Sequence, residues 1–168
     1  MAFEIVSEKE WKRALSLLSI QSKITNIIEY EKLYSLIPTR STAASAGYDF
    51  KIPFELVCEP NTPYCIPTGM KWNPSSYDVT NVVLLLFPRS SLGFASGFTL
   101  DNTIGVIDAD YYNNIANEGH IFIQFSVKNP TTLKQGYKFC QGIILPFYID
   151  KEDTTNTLRI GGMGSTNA

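Results

Sequence analysis

Hydrophobic and polar positions divide the chain into two textures. Over residues 1–40 the apolar positions recur at helical spacing. Trp11, Ala14, Leu15 and Leu18 fall on one face, and Ser7 stands three residues before Glu10 as in a capping box. This predicts a helix over about residues 8–19. Ile24, Ile27 and Ile28 repeat the spacing, followed by Tyr30, Leu33, Tyr34 and Ile37, and Pro38 stops the run, so a second helix is predicted before residue 38. From Arg40 onward, short apolar or alternating runs are separated by Gly, Pro, Asn and Asp, the pattern of a β-sandwich or barrel. The continuous run NVVLLLFP (81–88) predicts a strand buried on both faces. In HIFIQFSV (120–127), Ile121, Ile123, Phe125 and Val127 alternate to one side. Pro146 in GIILPFYI lacks the amide hydrogen a central ladder needs, which places it at an edge or bulge. The polar, aperiodic DKEDTTNT (150–157) reads as a mobile linker to the last eleven residues.

A length of 168 residues fits one domain, 1–168, with a helical N-terminal addition over about 7–36 and a linker and glycine-rich tail over about 150–168. Charged residues are only 18% against 44% hydrophobic, which predicts that part of the surface is hidden against another subunit. The formal charge of −2 offers no basic footprint for nucleic acid. His120 is the only histidine, which excludes a multi-histidine metal site and most hydrolase triads. Cys58, Cys65 and Cys140 are odd in number and lack a CxxC spacing, so a reducing cytoplasm is expected. With no basic n-region at the start and no long apolar run, an untargeted protein without a membrane span is expected.

Four segments could carry chemistry. RIGGMGSTNA (159–168) puts amide donors, the Ser165 and Thr166 hydroxyls and the Arg159 cation within a few residues, a composition suited to phosphate but also to a frayed terminus. In FPRSSLGFASG (87–97), Arg89 follows a strand and precedes Ser90 and Ser91. It could fix phosphate oxygens or cap exposed carbonyls. TIGVIDADYYNN (103–114) ends an apolar strand in Asp108 and Asp110, which share a side if the strand continues. A carboxylate there could deprotonate a water, and Asp is equally a routine turn residue. SAGYDF (45–50) brings Asp49 and is bland by itself.

Order and combination distinguish these segments. SAGYDF, PRSSLG, DNTIGVIDADY (101–111), KFCQG (138–142) and GGMGST together resemble the five ordered motifs of the homotrimeric dUTPase family, over residues 38–166. The resemblance implies a mainly β, jelly-roll-like barrel assembled as a homotrimer with shared sites. It also implies Mg²⁺-dependent hydrolysis of dUTP to dUMP and pyrophosphate, the metal being bound mainly by the triphosphate. Carried over by motif, Asp108 is the carboxylate that activates water, Tyr111 the ring beneath deoxyribose, and Asn102 the asparagine at the base of the uracil pocket. Arg89, Ser90, Ser91 and Gln141 become phosphate-chain contacts, and Asp49 a carboxylate near the metal's waters. Arg159, Gly164, Ser165 and Thr166 belong to a tail closing over the phosphates.

Several positions depart from the family pattern. Met163 stands where a stacking phenylalanine is usual, which implies a contact weaker by about 1 kcal/mol. Asn113 replaces a glycine, and Asn tolerates a left-handed conformation. Asn167 replaces a terminal glycine, Lys138 replaces an arginine, and Arg159 lies closer to the double glycine than is usual. Two other readings fit the same residues. One is a dCTP deaminase, which shares this fold and could use Glu118. The other is a regulatory binding protein whose N-terminal helices meet a partner.

Overall fold

The computed structural model describes residues 1–18, 23–78, 81–157, 159 and 161. Its first strands are β1 (Phe3–Ile5), β2 (Ile24–Thr25), β3 (Thr39–Arg40), β4 (Tyr48–Lys51), β5 (Glu55–Cys58), β6 (Tyr64–Pro67) and β7 (Met70–Trp72). They are followed by β8 (Val82–Pro88), β9 (Thr99–Leu100), β10 (Gly105–Ile107), β11 (Phe122–Ser126), β12 (Thr131–Leu133) and β13 (Lys138–Pro146). A five-stranded sheet in the order β10-β8-β13-β4-β3 forms one wall. Two three-stranded sheets, β6-β11-β9 and β12-β5-β2, and the β1-β7 pair complete the mainly β architecture.

The alternation in 120–127 holds: Ile121, Ile123, Phe125 and Val127 are all buried. Phe125 stacks on Phe98 at 4.5 Å and leans on Tyr64 and Phe139, so aromatic area from two sheets and from the residue before β9 meets in one core. On β8 only one face is fully covered. Val82, Leu84 and Leu86 are buried, whereas Val83, Leu85 and Phe87 are half-buried, so burial on both faces is not met within one chain. Cross-strand partners share a face. Leu85 pairs with Val106 and Ile143, Val83 with Leu145, and Phe87 with Gln141. That second face is therefore apolar along most of its length, with Val106 57% and Leu145 42% exposed. Pro146 closes β13 where the strand pairs only with β8, its other side being open beyond Gly142, as an edge position requires.

The N-terminal addition is less helical than its spacing predicts. The first helix forms as α1 (Glu8–Ser16), with the Ser7 hydroxyl accepting from the Glu10 amide at 3.2 Å. In place of a second α-helix, Ile24 and Thr25 pair with β5, and a 3-10 helix covers Tyr30–Leu36. Two β-branched residues find a strand edge, and Asn26 at φ 51° breaks the helical path between them and the 3-10 turn. A further helix that the pattern did not predict, α2 (Ser90–Ser96), follows β8 directly and ends on Gly97 at φ 64°.

Candidate active site

The chain between β9 and β10 does not close a hairpin. It instead crosses between sheets, since β9 pairs with β11 and β10 with β8. The crossing is a tight turn in which Thr103 takes φ 65° and the Ile104 amide donates to the Asn102 carbonyl at 2.7 Å. β10 is thereby the edge of the five-stranded sheet, and a cavity of about 230 Å³ lies against it. Asn102, Asp108, Tyr111 and Arg159 all line this cavity, with Leu86, Gly105, Val106, Ile107 and Phe122 completing its walls. A side chain at Gly105 would meet Leu86, its Cβ lying 3.0 Å from the Leu86 Cβ, so glycine lets β10 press against β8.

Asp108 is not part of a continued strand. It stands at the N-cap of a 3-10 turn, Ala109–Tyr111, which swings Asp110 back beside it. Both carboxylates converge on one guanidinium, Arg159 Nη1 lying 3.0 Å from Asp108 Oδ2 and 3.1 Å from Asp110 Oδ1. The same guanidinium sits 5.2 Å from the centre of the Tyr111 ring. The Tyr111 ring is buried. Its hydroxyl donates to the His120 carbonyl at 2.9 Å and accepts from Asn117 Nδ2 at 2.7 Å, and burial pushes its phenol up, so it remains a neutral donor. Asn113 adopts φ 55°, the left-handed turn that its glycine-like position requires.

A second group forms at the far end of β8. Arg89 Nε lies 3.3 Å and Lys138 Nζ 2.8 Å from the Asp49 carboxylate, and the Ser41 hydroxyl donates to it at 2.6 Å. Burial pushes the Asp49 carboxyl up, but the Lys138 and Ser41 hydrogen bonds and the Arg89 charge outweigh it and hold the carboxyl below its usual range. Gln141 pairs with Asp49 across β13 and β4, and Ser90 and Ser91 are exposed in the first turn of α2. The sequence-predicted residues therefore fall into two groups. Ile107 pairs with Leu84 on β8, and Arg89 follows the other end of that strand, so Asp108 and Arg89 are about 20 Å apart at roughly 3.3 Å per residue. Met163, Gly164, Ser165 and Thr166 lie outside the described residues.

Among the described residues no group of three His, Cys, Asp or Glu side chains could hold a metal ion. The carboxylates present suit a hydrated Mg²⁺ that brings its own phosphate ligands: Asp108, at the cavity, and Asp110 beside it are about half exposed, each with one oxygen on Arg159. Asp49, with both oxygens engaged by cations, can reach such an ion only through its waters. Glu118 does not line the cavity. Its carboxylate accepts from the Ser7 amide at 3.0 Å and from the Ser7 hydroxyl, a structural role that leaves nothing to support a deaminating one. Sequence reasoning missed Phe122 as a cavity wall and Ser41 as a partner of Asp49. Neither lies inside a motif, and only the sheet pairing brings them into place.

A family model described as dUTPase matches residues 34–167. The deoxyuridine 5'-triphosphate nucleotidohydrolase of Lactococcus lactis subsp. lactis (strain IL1403) is 37% identical over 146 residues, which cover 84% of this chain and 95% of that protein. A crystal structure of dUTPase from Streptococcus mutans has a TM-score of 0.66 at 33% identity and covers 90% of this chain and 99% of its own. A mutant dUTPase from phage phi11 of S. aureus, described with a structural Mg(II) ion, has a TM-score of 0.55 at 19% identity and covers 72% of this chain and 90% of its own. At that identity the likeness shows the fold alone.

Proposed function

The chain belongs to the dUTPase family, and on that premise we propose that it hydrolyses dUTP to dUMP and pyrophosphate, with Asp108 activating the attacking water. One observation carries the assignment to this cavity: Asn102, Asp108 and Tyr111, far from uniform in chemistry, meet there against the free edge of β10. The outward peptide groups of that edge can pair with the pyrimidine. Cytosine exchanges donor and acceptor and would leave buried groups unpaired. Tyr111 lies where a sugar would stack, with its hydroxyl already spent on His120.

In the reaction a proton passes from water to the Asp108 carboxylate as the water oxygen bonds to the α-phosphorus. The bond from that phosphorus to the bridging oxygen breaks, and pyrophosphate leaves with the electron pair. Arg159, which bridges Asp108 and Asp110 in the free protein, is placed to transfer its donors to the phosphate chain as the nucleotide enters. Mg²⁺ bound to the triphosphate neutralises charge on the phosphates when present. The tail over 159–166 acts as a flap that closes on the nucleotide, and residues 150–157 connect it to the barrel.

The site is completed in a homotrimer. Two features support this: Asp108 and Arg89 cannot reach one triphosphate from the same chain, and the sheet between them presents a half-open apolar face. A cytoplasmic setting agrees with the three free cysteines. The test is phosphate chemistry by substrate. Incubation with dUTP, dTTP, dCTP and UTP should release pyrophosphate from dUTP far faster than from the other three. Ammonia release from dCTP would instead establish a deaminase.

A further inference from the structure

The loop that carries Tyr111 is held by residues that precede the family match. Three of the first ten residues grip it at three points. Glu4 accepts from the Tyr112 hydroxyl at 2.8 Å, Ser7 donates twice to the Glu118 carboxylate, and Glu10 meets His120 Nδ1 at 2.9 Å. Glu10 is buried in α1 and is itself fixed by a two-pronged contact from Arg13 at 2.6 and 2.8 Å. His120 is fully buried. Its Nε2 accepts from the Gly69 amide at 2.9 Å, which leaves the proton on Nδ1 to be donated to Glu10.

This chain of contacts ends at the cavity. The carbonyl of His120 receives the Tyr111 hydroxyl, and the imidazole packs 4.6 Å from the ring of Phe122, so both aromatic walls of the cavity flank one clamped histidine. Within the loop, Asn114 and Asn117 satisfy its polar groups: Asn114 Nδ2 donates to the Tyr111 carbonyl and Asn117 Nδ2 to the Tyr111 hydroxyl. The loop is thus hydrogen-bonded within itself and tied to β1, to the start of α1 and to α1.

We propose that Glu10 and Ser7 are positioning residues for Tyr111, and that the N-terminal segment thereby sets how strongly the site distinguishes a deoxyribonucleotide from a ribonucleotide. This rests on the reading of Tyr111 as the ring beneath the sugar. A ring held at fixed depth leaves no room for a 2′-hydroxyl, whereas one free to retreat admits it.

The experiment compares the full chain with Glu10→Ala, Glu10→Gln and Ser7→Ala, measuring kcat and KM for dUTP and UTP beside thermal unfolding. Glu10→Ala should cut the preference for dUTP over UTP by about tenfold, chiefly through a raised KM for dUTP, because small misplacements of a substrate-contacting group carry large costs. Glu10→Gln retains an acceptor for His120 Nδ1 and should restore most of that preference. Ser7→Ala should move the ratio the same way by a smaller factor, and it decides the matter if Glu10→Ala does not fold. An unchanged dUTP/UTP ratio in the variants, even with a lowered melting temperature, would overturn the proposal and leave a purely structural helix. A wild-type protein that cleaves neither nucleotide would defeat the functional reading itself, a result distinct from variants that discriminate as well as the wild type.

Discussion

Arg89 and Asp108 stand at opposite ends of β8, one following its last residue and the other following the partner of Leu84. On the proposed function, a triphosphate bound at Asp108 in one copy finds Arg89 in another. Two inactive variants should complement each other. Asp108→Asn and Arg89→Ala, each defective alone, should regain about a quarter of wild-type activity when co-assembled one to one, since each site then draws its two groups independently from different chains. Mixed assemblies as inactive as either parent would show that each site is built within one chain.

Stability should depend on pH through His120. Burial outweighs the hydrogen bond that His120 donates to Glu10 and lowers the His120 pKa from 6.5 to about 4. The unfolded chain therefore binds a proton that the folded chain refuses between these values. Stability is fully present above pH 6.5 and falls as pH drops toward 4, by about 2 kcal/mol between pH 7.5 and pH 5. Denaturant unfolding at both pH values checks this, and the difference should shrink in His120→Gln.

Truncation after Asn156 should separate folding from chemistry. Residues 150–157 are exposed, and the side-chain hydrogen bonds of Asp150 and Asp153 are local, to the amides of Glu152 and Thr155. The truncated protein should keep the wild-type oligomeric state by light scattering. It should lose about 10²-fold or more in dUTP hydrolysis, because Arg159 and the glycine-rich tail are gone. Unfolding of this variant, or full activity, would contradict the proposed flap.

The alternation of 120–127 was readable because one face of β11 meets the core and the other does not, so period two is written directly into Ile121, Ile123 and Phe125. The two buried faces predicted for β8 are met on one side only within the chain, because its half-open side is as apolar as its buried side. A single sequence does not say whether such a face meets its own chain or a copy. Ile24–Thr25 and the 3-10 turn that follows have helical spacing, and tertiary pairing with β5 overrides it. Within the site, the motifs gave Asp108, Tyr111 and Asn102, and the cavity joins all three. The link from Glu10 through His120 to Tyr111 was invisible because it spans 110 residues of sequence and consists of ordinary residue types.

The central claim is that the Asp108 carboxylate takes the proton from the attacking water. The most direct test is pyrophosphate release from dUTP under single-turnover conditions by Asp108→Asn, whose side chain keeps the shape and loses the basic oxygen. The rate should fall by about 10³-fold while nucleotide binding persists. A rate equal to that of the wild type would contradict the account.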